Sequence, residues 1–174
     1  CKIDWVSQAT PMGFGHALLS AKKYVGNNNF LLHAGDTYFP NYEFIPKFIK
    51  SFKTDRQIAG NLLLESKKLL DGYGIAQTIR KNNQNVVFGV EEKPRKPKSN
   101  LVILPVYAFK PTIFDALKKT NQGYNKELQV TDAIKTMINC NKKIVAMKMK
   151  GKWFDIGTPQ WYLEALNYSF KIEH

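Results

Sequence analysis

The sequence predicts an α/β fold built on a mixed, mainly parallel sheet flanked by helices. Two observations carry that expectation. Strand-like and helix-like patterns alternate as β-α-β-α-β over the first 65 residues, the order that gives parallel strands joined by right-handed crossovers. Several strand runs are short and almost continuously apolar, as FLLHA and IAGNLLLE are, which suits strands covered on both faces.

Taken in order, KIDWV (residues 2–6) reads as a strand and GHALLSAKKYV as a helix with Ala17, Leu18, Ala21 and Val25 on one side. FLLHA follows as a strand buried on both faces. NYEFIPKFIKSF is an amphipathic helix with Phe44, Ile45, Phe48, Ile49 and Phe52 inward, and IAGNLLLE is the next strand. After residue 70 the pattern changes. GYGIAQTIR and NVVFGVEE flank the turn-prone KNNQN and predict a hairpin, and NLVILPVYAFK is a third strand-like run. TIFDALKK and TDAIKTMINC are helices, the second with Thr131 as its expected cap. KKIVAMKMK and GKWFDIGT are strand-like. PQWYLEALNYSF begins a helix at Pro159, a residue favoured in the first helical position. No repeat or linker divides the chain, which is expected to be one domain spanning residues 1–174.

Composition narrows the function classes. The chain has 174 residues and a net charge of +12, with 26 Lys and Arg against 14 Asp and Glu. Most lysines are scattered over expected helix faces and turns. The cluster EEKPRKPK holds two prolines and reads as a loop, so nucleic acid is not an expected partner. No apolar run reaches membrane-spanning length, and a cytoplasmic protein without membrane contact is expected. Cys1 and Cys140 form no metal-binding or disulfide pattern and are read as inert, and His16 and His33 as structural.

Ligands of open α/β sheets gather beyond the carboxyl ends of the strands. FLLHAG delivers Asp36 there and GKWFD delivers Asp155. Two carboxylates on one rim suit Mg²⁺, which uses one or two carboxylates together with substrate phosphates; D-T and D-I-G-T are also good turn chemistry, and from spacing alone each aspartate reads first as a cap on the following turn. Gly13 and Gly15 stand just before a helix, where backbone N–H groups can face an anion or a flat base. A tight strand-to-helix turn explains the same glycines.

Four motifs in one order, Q-x-x-P-x-G-x-G-H-A with the GD at Asp36, VEEKP, KELQVTDAI and WFDIGTPQWYLEA, resemble the sugar-1-phosphate nucleotidyltransferase family, which includes glucose-1-phosphate thymidylyltransferases and uridylyltransferases. The resemblance implies a Rossmann-like nucleotidyltransferase domain. It also implies Mg²⁺-assisted transfer of a nucleotidyl group from dTTP or UTP to a sugar 1-phosphate such as glucose 1-phosphate, releasing pyrophosphate. By the same resemblance Gln8, Pro11 and Gly13 read the base. Gly74, Glu92 and Lys93 hold the sugar and its phosphate, and Asp36 and Asp155 bind the metal. Asp36, Lys93 and Asp155 are then the catalytic set.

Two departures qualify the resemblance. The family's glycine-rich Thr-Arg triphosphate loop is absent from this sequence. The domain is therefore expected to be N-terminally incomplete, lacking its first βα units, inactive by itself and prone to associate as a homo-oligomer. Pro105 stands where the family has a glycine, and a proline there predicts an edge position or a bulge. The alternatives are a cytidylyl- or guanylyltransferase acting on another sugar phosphate, and a regulatory homologue that binds a nucleotide sugar without turning it over.

Overall fold

The computed structural model describes residues 2–68 and 70–173. Cys1, one of the two cysteines read as inert, lies outside the described residues; Cys140 is a free thiol at the surface.

The main sheet runs in the order β1 (Phe30–His33), β6 (Leu101–Phe109), β3 (Ile58–Ser66), β7 (Lys143–Lys148), β5 (Gln84–Glu91) and β4 (Ile75–Lys81). A separate two-stranded sheet joins β2 (Thr37–Tyr38) to β8 (Phe154–Asp155). The fold is α/β and the sheet is mixed, flanked by α1 (Phe14–Ser20), α2 (Lys22–Val25), α3 (Phe44–Lys53), α4 (Thr112–Lys119) and α5 (Val130–Asn139), while α6 (Pro159–Glu173) packs on the small sheet, Tyr168 against Phe154 and Ser169 hydrogen-bonded to Tyr38.

The expectation of a mainly parallel sheet is corrected: β3–β7 is parallel, and the other pairings among the described residues are antiparallel. The cause is β6. It inserts between β1 and β3 and runs against both, so strands that share a direction are kept apart. KIDWV also departs from expectation, forming no strand, and the expected first helix is interrupted at Ala21. β1 is not covered on both faces. Its residues alternate between half-buried and exposed, as befits a strand with β6 as its only ladder partner among the described residues.

Alternation along β6 separates two cores. Leu101, Ile103, Tyr107 and Phe109 face one that includes Leu62, Leu64, Ile113, Phe114, Ile134 and Met137 from β3, α4 and α5. Val102, Leu104, Val106 and Ala108 face the other, with Phe48 and Phe52 of α3. Pro46 is tolerated in α3 because it occupies the first turn, where an N–H has no intrahelical acceptor. The β4–β5 hairpin turns through Asn82 and Asn83, both at positive φ (47° and 58°), as a two-residue turn of right-handed twist requires.

β6 also opens the cleft. On the side away from β3 it pairs with β4 through Leu101 and Val102 and with β1 through Val106 to Phe109, leaving a gap between. Opposite that gap the β3 register jumps from Leu62↔Tyr107 to Leu63↔Leu104, so Pro105 lies in a bulge. The bulge predicted from Pro105 is present; the edge position is not, since β6 is flanked on both sides. The proline has no N–H to donate to a ladder, and its carbonyl accepts from Ala34 N–H at 3.0 Å.

Candidate functional site

The gap beside β6 is the floor of a cleft of about 320 Å³. Ile103, Pro105 and Tyr107 line it from β6, Asp36 from the turn after β1, Thr37 from the start of β2, and Gly74 from just before β4. Glu92 and Lys93 line it from beyond β5, Thr131 from α5 and Asp155 from β8. Five residues expected at the site, Asp36, Gly74, Glu92, Lys93 and Asp155, thus meet although up to 119 positions separate them in the chain.

The carboxylate side is made by the small sheet. Thr37 pairs with Asp155, and Ile156 N–H donates to the Asp36 carbonyl at 2.7 Å. Asp155 accepts from Gly157 N–H at 3.2 Å, so the turn reading of this aspartate is correct as far as it goes. A methyl group built on Gly157 would stand 3.2 Å from Asp155 Oδ1 and 3.6 Å from Asp36 Oδ2. Both carboxylates therefore face one small space that Gly157 leaves open. The described residues contain no cluster of three or more His, Cys, Asp or Glu that could cage a metal alone. An acidic oxygen pair with room for outside ligands fits Mg²⁺, which keeps waters and substrate phosphates in its shell.

The opposite side is tightly packed. A methyl group on Gly74 would sit 3.0 Å from Thr131 Oγ1 and 3.1 Å from Glu92 Oε2, so any larger residue would have to push both side chains back by a few tenths of an ångström. Thr131 is buried and its hydroxyl donates to Glu92. The expected helix cap at Thr131 is corrected: α5 begins at Val130 after Gln129, with no side-chain cap, and the Thr131 hydroxyl serves the cleft. Burial pushes the Glu92 carboxyl above its ordinary range; the Thr131 hydrogen bond and the Lys93 charge pull it down, and Asp132 and Glu127 add to the rise. Tyr107 is likewise pushed up by burial and by the charge of Glu92. Lys93 takes a left-handed backbone (φ 43°) directly before Pro94, its N–H donating to the Tyr73 carbonyl at 3.2 Å and its ammonium 4.9 Å from the centre of the Tyr124 ring. A non-glycine residue pays for that conformation, which the hydrogen bond to the Tyr73 carbonyl helps to hold.

Gln8, Pro11 and Gly13 are not among the residues lining the cleft. Gln8 Nε2 lies 2.8 Å from His16 Nδ1 and donates to the Gly13 carbonyl at 3.3 Å, while Pro11 is exposed. Gly13, at φ 97°, starts α1 hard against Glu127 and Leu128, and its neighbour Phe14 reaches the cleft. Sequence reasoning missed Phe14, Tyr73, Tyr107 and Trp153 as lining residues. Tyr107 carried a usable signal, since it stands two positions from Pro105 and shares its face of β6.

The sequence model of the nucleotidyl transferase family, described as "Nucleotidyl transferase", matches residues 1–171. The chain is 33% identical over 162 residues to a glucose-1-phosphate thymidylyltransferase of Streptomyces antibioticus, covering 93% of this chain and 44% of that protein. It is 34% identical over 175 residues to a UTP–glucose-1-phosphate uridylyltransferase of Mycoplasma pneumoniae, covering 96% of this chain and 60% of that one. The chain thus spans less than half the length of the first relative and less than two thirds of the second. Among solved structures, a UDP-glucose pyrophosphorylase complexed with UDP-glucose superposes with a TM-score of 0.87 at 29% identity, covering 98% of this chain and 67% of that one.

Proposed function

The chain belongs to the nucleotidyl transferase family, among its sugar-1-phosphate members, and from that premise we propose that its cleft binds a nucleoside diphosphate sugar and serves nucleotidyl transfer from dTTP or UTP to glucose 1-phosphate. The observation that carries the proposal is the convergence of Asp36, Gly74, Glu92, Lys93 and Asp155 on one cleft.

The reaction joins two polyanions. A phosphate oxygen of the sugar phosphate attacks the α-phosphorus of the triphosphate and pyrophosphate leaves, so the protein must align the partners and offset their repulsion. Lys93 supplies a positive charge at a fixed point for the sugar phosphate. Glu92, oriented by Thr131, accepts from sugar hydroxyls, and Gly74 lets the backbone approach the ring. Asp36 and Asp155 would hold Mg²⁺, which when bound neutralises phosphate charge. Gln8, Pro11 and Gly13 form the base-reading segment beyond Phe14. A cytoplasmic location accords with the reading; no helix among the described residues is long and apolar enough to cross a membrane.

Calorimetric titration with UDP-glucose and dTDP-glucose, with Mg²⁺ and with EDTA, tests the proposal. Binding that Mg²⁺ strengthens and glucose 1-phosphate competes away is expected. Binding of neither nucleotide sugar would contradict it. Mg²⁺-independent binding without pyrophosphate release, measured on the chain as it occurs in the cell, would favour the regulatory alternative.

A further inference from the structure

Behind the cleft wall a lysine and a glutamate bind two aromatic rings together. Lys67 follows β3, and its ammonium lies 4.2 Å from the centre of the Trp153 ring and 4.4 Å from that of Tyr73. It donates to the Tyr73 hydroxyl at 3.1 Å and lies 3.9 Å from Glu65 Oε2. The same Glu65 oxygen accepts from Trp153 Nε1–H at 2.7 Å, and the two rings meet edge to face at 6.0 Å. The Lys67 and Glu65 side chains are only 27% and 26% exposed, so water screens these attractions less than it would those of a surface pair.

The arrangement joins three segments distant in sequence. Glu65 and Lys67 sit at the end of β3, Tyr73 immediately precedes Gly74, and Trp153 stands two residues before Asp155. Tyr73 also holds Lys93 through its carbonyl. Lys67 and Glu65 do not line the cleft, whereas Tyr73 and Trp153 do. The two charged residues therefore act on the site through the rings.

We propose that Lys67 is a positioning residue: with Glu65 it clamps Trp153 to Tyr73, and so sets the separation between the Asp155 carboxylate and the Gly74–Lys93 wall. The function of the cleft rests on the reading above; the clamp itself does not. The ammonium is essential to the clamp, since an apolar side chain of similar length fills the same space without attracting ring faces or the Glu65 carboxylate.

Hydrogen exchange on the 174-residue chain tests the clamp, using Lys67→Met to keep the stem without the charge and Lys67→Arg to restore a cation that stacks on rings. In the Met variant the amides of 72–74 and 151–157 should exchange about tenfold faster while those of 62–64 hold their rates, because local opening is released without global unfolding. The Arg variant should match the parent. Mg²⁺-dependent affinity for UDP-glucose should fall about tenfold in the Met variant and recover in the Arg variant, the usual scale for groups that orient metal ligands. Unchanged loop exchange in the Met variant overturns the proposal. So does equal acceleration across the whole chain, which marks plain loss of stability. If the parent binds no nucleotide sugar, the functional reading fails, and the exchange data alone decide on Lys67.

Discussion

The two walls of the cleft are built on opposite principles. The Gly74–Glu92–Thr131 wall is dense, its backbone passing so close that a single methyl group would press on the Thr131 and Glu92 side chains, and its carboxylate is held by a buried hydroxyl. The Asp36–Asp155 wall is open. Asp36 is exposed, Asp155 is half-buried, and the space between them is kept clear by Gly157. The difference follows from what each would meet. A sugar presents hydroxyls in fixed directions, so a preorganised acceptor loses little on binding, whereas a hydrated cation carrying phosphates needs charge and room.

Substitutions should separate the walls. Asp155→Asn or Asp36→Asn should have the largest effect, weakening the Mg²⁺-dependent part of UDP-glucose binding on the order of a hundredfold, since ligand charge sets the affinity for a hard cation. Stability should change by no more than about 0.5 kcal/mol for Asp36→Asn, as expected of an exposed site; equal losses in thermal melting and in binding would erase the contrast. Gly74→Ala should do the reverse. Its methyl group overpacks Thr131 and Glu92 at a cost of about 1–3 kcal/mol, visible in denaturant midpoints, and lowers sugar-nucleotide affinity both with Mg²⁺ and with EDTA.

Thr131→Val keeps the shape and removes the donor to Glu92, at a cost of about 1–3 kcal/mol where the carboxylate is left unpaired. It should also raise the Glu92 carboxyl further, as carboxylate titration by NMR would show, because the lost hydrogen bond pulled it down. The smallest effect concerns pH. Because burial raises Glu92 in the folded state, the fold holds that proton more tightly than the unfolded chain does. Its contribution to stability is present below the ordinary glutamate value and is lost as pH rises through the raised one. Glu92→Gln should therefore stabilise the chain at neutral pH and not below that ordinary value, by melting temperature; the same difference at both pH values would contradict this assignment.

The dense wall and the open wall were unequally legible in the sequence. Asp36 could be placed by pattern, because the short apolar β1 delivers the residues after it to a rim, whereas Asp155 reaches the cleft from β8 of the separate small sheet; Pro105, lacking an N–H, pointed to an edge position or a bulge, and the bulge is what formed. Strand direction could not be read the same way. Periodicity reports which face of a strand is covered but not the sense of its neighbour, so β6 entering between β1 and β3 was invisible. Thr131 was mistaken for a cap because a threonine before an apolar helical run signals one, and only the approach of β4 and β5 gives its hydroxyl a different partner. The Lys67 clamp needs residues 65, 67, 73 and 153 at once, and no local pattern links them.

Whether one ligand engages both walls of the cleft is read by titrating isotope-labelled protein with UDP-glucose and Mg²⁺ and following it residue by residue in amide NMR spectra. Shifts centred on Asp36, Gly74, Glu92, Lys93, Thr131 and Asp155 are the predicted result. Shifts confined to the basic groove of Lys47, Arg80 and Lys148 on another part of the surface, with the cleft unmoved, would contradict it.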